Sequence, residues 1–67
     1  MAITSAEEAS ELVREFLRRM GWVTFVSPRN AKRVNSVWVL EFGVGFKNMR
    51  FEVDAEAGKV ISYETLD

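Results

Sequence analysis

The chain has 67 residues, 48% hydrophobic and 28% charged, with a formal net charge of −1, no cysteine and no histidine. That length admits one domain, residues 1–67, and a domain so small buries only about 60% of the surface its unfolded chain exposes. The composition excludes a disordered chain, the missing cysteines exclude a disulfide framework or thiolate metal site, and no apolar run approaches the roughly 20 residues that span a bilayer.

The opening MAITSAEEASELV lacks the basic-then-apolar order of a secretory signal, so the expectation is a soluble, cytoplasmic protein. Ala9, Leu12, Val13, Phe16, Leu17 and Met20 then follow the i, i+3, i+4 spacing of an amphipathic helix. Thr4 with Glu7, or Ser5 with Glu8, fits the capping box, and Gly21 suits the left-handed position past the last turn.

From Trp22 the period changes to two. WVTFVS, residues 22–27, reads as the first strand, ended by Pro28, and PRNAKRVNS, residues 28–36, as a long polar loop. The second strand puts Trp38, Leu40, Phe42, Val44 and Phe46 on one face and Val37, Val39, Glu41, Gly43 and Gly45 on the other. A two-residue turn at Lys47-Asn48 sets Phe46 opposite Met49, Val44 opposite Phe51 and Phe42 opposite Val53, all on one face; a looser turn around GVG is the alternative. In VDAEAGKV, a three-residue loop of Glu56, Ala57 and Gly58 pairs Val53 with Ile61, Phe51 with Tyr63 and Arg50 with Glu64.

Charge is segregated along the chain. Residues 21–50 carry Arg29, Lys32, Arg33, Lys47 and Arg50 against Glu41, whereas residues 51–67 carry Glu52, Asp54, Glu56, Glu64 and Asp67 against Lys59. Pairing of adjacent, oppositely charged antiparallel strands is the expected outcome.

Chemistry finds little to use. Without histidine or cysteine there is no ready base, nucleophile or soft metal ligand, and no GxxxxGK phosphate loop occurs, so an enzyme is not expected. Asp54-x-Glu56-x-Gly58 supplies only a fragment of a calcium loop, and neither metal nor cofactor is expected. Two binding surfaces remain. A single helix covers one sheet face, leaving Val37, Val39 and Val60 on the other as a candidate site for an unknown protein partner or a second copy. The alternative is a nucleic-acid site on Arg29, Lys32 and Arg33, with Trp22, Phe25 and Trp38 available for stacking.

FEVDAEAGKVISYE, preceded by VWVLEF, resembles the PepSY domain family, in which a helix is followed by a β-meander with a VDA-x-x-GKV hairpin. The resemblance spans residues 6–66 in layout and 51–63 in motif. It implies a non-catalytic role, family members being associated with inhibiting or chaperoning secreted peptidases. The N-terminus departs from that setting in showing no secretory pattern. The expected fold is α+β: one helix on a four-stranded antiparallel meander, with a core of Leu12, Val13, Phe16, Leu17, Trp38, Leu40, Phe42, Phe51, Val53, Ile61 and Tyr63.

Overall fold

Helix α1, Ala6–Arg19, begins where Ser5, in an extended conformation, accepts the Glu8 N–H on its hydroxyl at 3.2 Å. The Glu8 carboxylate extends this box by accepting the Thr4 N–H at 2.8 Å and the Thr4 hydroxyl at 3.1 Å. Of the two boxes available in the sequence, the one on Ser5 forms. Glu7 and Glu8 in the first turn and Arg18 and Arg19 in the last complement the helix dipole, and Gly21 stands at φ +82° just past the end. These features come from a computed structural model that describes residues 4–21 and 26–66.

Four strands follow: β1 Val26–Val34, β2 Val37–Val44, β3 Lys47–Asp54 and β4 Lys59–Leu66. They form one antiparallel sheet in the order β1-β2-β3-β4, with α1 on one face, so the expected α+β meander is the observed fold.

The expected first strand and loop need correction. Of the 22–27 segment, Val26 and Ser27 fall in β1 and residues 22–25 lie outside the described residues, whereas the supposed loop from Pro28 to Val34 is strand. Proline is tolerated because β1 is an edge strand and its ladder is already interrupted by a bulge between Pro28 and Asn30. The connection to β2 shrinks to Asn35 and Ser36, with Asn35 at φ +58°.

The second hairpin turns at Gly45-Phe46, neither at Lys47-Asn48 nor around GVG. Val44 therefore faces Lys47, Phe42 faces Met49 and Leu40 faces Phe51. Relative to the expected register, each β2 residue meets a partner four positions earlier in β3. An even slide keeps every side chain on its own face, so facing alone cannot reject it. The turn decides, because Gly45 at φ +63° supplies the positive φ that a two-residue turn needs at its first position. Phe46, expected on the core-facing side opposite Met49, is left fully exposed.

In the third hairpin Phe51 faces Tyr63 and Arg50 faces Glu64 as expected, but Val53 faces Val60. The loop has four residues, 55–58, and Ile61 is the extra residue of a bulge that restores the register beyond it.

The buried core joins Ala9, Val13 and Leu17 of α1 to Leu40, Phe42, Val44, Met49, Phe51 and Val53, with Ala55 just beyond β3. Phe42 and Phe51 meet edge to face, with centroids 5.9 Å apart. Leu12, Phe16, Trp38 and Val60 line the margin. Ile61 and Tyr63, expected in the core, keep 47% and 46% of their surface exposed. By this register Phe46→Ala changes stability by no more than about 0.5 kcal/mol, whereas Phe42→Ala costs about 3–5 kcal/mol in denaturant unfolding. The register first expected would make both substitutions costly.

Candidate functional site

The registers define the outer sheet face row by row. One row runs Lys32, Val39, Glu52, Ser62; the next Asn30, Glu41, Arg50, Glu64; a third Val34, Val37, Asp54, Lys59. The face is therefore mostly polar. The Ser62 hydroxyl donates to Glu52 Oε1 at 2.9 Å, and the Arg50 guanidinium pairs with the Glu64 carboxylate. Its apolar residues are Val34, Val37 and Val39 at the β1–β2 end, with Val37 and Val39 half-buried, and Leu66 beside Asn48 at the far end of β4.

Gly43, on this outer face, is covered. The Arg29 side chain lies over it, with Nε 3.0 Å and Nη2 3.1 Å from where a Cβ would stand. Val60 departs from expectation: it faces Val53 and packs against the core, hence on the helix side. The reason is the four-residue loop, which shifts Val60 by one place relative to the three-residue loop that sequence reasoning favoured.

The three cations proposed for nucleic acid do not converge. Arg29 and Lys32 belong to the outer face, whereas Arg33 faces Trp38 on the helix side and donates Nε–H to the Asn35 carbonyl at 2.8 Å. Charge pairing between neighbouring strands is likewise partial. Arg50 meets Glu64 across β3 and β4, but the cationic β1 lies at the opposite sheet edge from β4 and borders a strand whose one acid is Glu41.

The acidic hairpin is occupied by its own turn. Asp54 Oδ1 accepts the N–H groups of Glu56 at 2.8 Å and Ala57 at 3.0 Å, while the Asp54 carbonyl accepts the Gly58 N–H at 2.8 Å. Gly58 stands at φ +69°, the left-handed position expected of it. Bonds from the Ala57 and Glu56 amides hold the Asp54 carboxyl below its ordinary value. The Thr4 amide and hydroxyl do the same for Glu8. Among the described residues, no group of three or more acidic side chains is gathered to hold a metal ion, and no helix is long and apolar enough to cross a membrane.

The feature sequence reasoning missed lies between α1 and β4. Two adjoining hollows that share Phe16 and Val60 form a shallow groove there, one lined also by Leu12, Glu15, Arg19 and Lys59, the other by Ile61, Ser62 and Tyr63. The Phe16 and Tyr63 rings stand 5.4 Å apart across it. The i, i+4 pair Leu12 and Phe16 was visible as part of the apolar helix stripe, but its marginal position depends on how far one helix reaches across the sheet.

Comparison with known proteins finds no matching family model, no matching curated protein and no matching solved structure.

The depressed Asp54 and Glu8 carboxyls set a pH dependence. A carboxyl whose native pKa is lower than its unfolded one stabilises the fold above the unfolded value, and that contribution is lost as pH falls through the native value. Stability therefore declines on acidification from about pH 5 downward. Asp54→Asn with Glu8→Gln keeps oxygen acceptors at both positions and flattens that decline, as measured by urea unfolding across pH. An unchanged slope would contradict the assignment.

Proposed function

We propose that the chain is a small, soluble, non-catalytic protein-interaction or self-associating module that binds through the uncovered parts of its sheet. The observation that supports this most is the edge strand β4, which among the described residues pairs with β3 alone, lying beside the half-exposed apolar groove of Phe16, Ile61 and Tyr63. An edge strand gives backbone hydrogen bonds to an added strand, and a neighbouring groove gives that strand's alternate side chains a place to sit. The valine cluster of Val37 and Val39, with Val34, is a second, smaller apolar surface on the outer face. The PepSY resemblance agrees with a role exerted on another protein, without chemistry of its own.

The scattered cations on β1 favour the protein reading over the nucleic-acid one, since phosphate neutralisation depends on basic groups presented together. The test is capture from lysate by the tagged domain, with and without nuclease, at low and high salt. A protein retained at high salt after nuclease, and lost on Ile61→Lys or on Val37→Glu with Val39→Lys, is the expected result. Recovery of nucleic acid alone, released steeply by salt, overturns the proposal.

A further inference from the structure

We propose that β4 is the docking edge for a second copy of this chain, the two β4 strands pairing antiparallel about a two-fold axis to form one eight-stranded sheet. This rests on the reading of the chain as an interaction module and names its partner and contact. The two sheet edges are chemically unlike. β1 carries Pro28, a bulge, three cations, and an Asn30 carboxamide that takes the Ala31 N–H at 2.9 Å, all devices that blunt an edge. β4, KVISYETL, also has a bulge, at Ile61, but it has no proline and one cation, Lys59, and is rich in β-branched and aromatic residues. A β1-to-β4 contact between copies would propagate into a filament; the blunted β1 edge disfavours it and leaves the closed, isologous β4 contact.

The strand that fits beside β4 needs apolar residues toward the helix side and polar residues outward. β4 itself has that pattern, with Val60 and Tyr63 inward and Ser62 and Glu64 outward. Antiparallel pairing about a two-fold keeps both helices on one face, so the two grooves join over the new seam and cover Ile61 and Tyr63. Charge order favours the same arrangement. The strand runs Lys59 then Glu64, the latter also held by Arg50 of its own chain. Reversing direction brings Lys59 toward the Glu64 of the other copy, whereas parallel pairing sets like against like.

Sedimentation of the full chain over about 10 µM to 1 mM tests the dimer, since an edge this small predicts weak association. The expected result is a mass rising from 7.7 kDa toward twice that value, with Ile61→Lys weakening association at least about tenfold and Phe46→Ala, at the exposed β2–β3 turn, leaving it unchanged. A monomer throughout overturns the dimer, while the lysate capture judges the interaction reading separately. A dimer dissolved by the valine pair and not by Ile61→Lys overturns the choice of edge. Should Ile61→Lys fail to fold by circular dichroism, amide exchange of the unaltered chain decides: slowing confined to residues 59–66 at high concentration supports the proposal, and concentration-independent exchange there overturns it.

Discussion

One helix must cover a sheet wider than itself. With its side chains an α-helix is about 10–12 Å across, whereas four strands spaced about 4.8 Å apart span about 14 Å between the outermost axes, before their side chains are added. The ridge of Ala9, Val13 and Leu17 therefore seats over the middle, where Leu40, Phe42 and Val44 of β2 and Met49, Phe51 and Val53 of β3 become fully buried or nearly so. No residue of β1 or β4 reaches that degree of burial.

That mismatch determines what each outer strand presents to its surroundings. β1 answers with charge, a proline and a bulge, and so can lie at the margin without inviting another strand. β4 answers with half-exposed apolar side chains, one of which, Tyr63, packs its ring against Phe16 of the helix beside the groove. The outer face needs no cover over most of its area, since Arg50 with Glu64 and Glu52 with Ser62 satisfy one another there. The edge, more than the face, is where apolar surface and unpaired backbone coincide.

Helix α1 was legible almost to the residue, because its cap, its stripe and its closing glycine all agree, and so was the order of the strands. Registers were less so. The Gly45-Phe46 turn differs from the Lys47-Asn48 turn by an even slide that leaves every face unchanged, and only the positive φ at Gly45 separates them. Pro28 reads as a strand end because proline breaks a central ladder, a rule that an edge strand escapes. The misplacement of Val60 follows from the four-residue loop, which agrees with the Phe51–Tyr63 pairing only through the bulge at Ile61, and that bulge has no sequence signature of its own. The groove was invisible for a different reason: it exists only through the relative widths of helix and sheet, which no local pattern encodes.

The most direct test is an isotope-filtered nuclear Overhauser experiment on a mixture of labelled and unlabelled chains at high concentration. Intermolecular cross-peaks among Val60, Ile61 and Tyr63, with Phe16 nearby and none from β1, are the predicted result. Intermolecular contacts arising from Val37 and Val39 or from Lys32 in their place, or none at all at millimolar concentration, would contradict the account of β4 as the open edge.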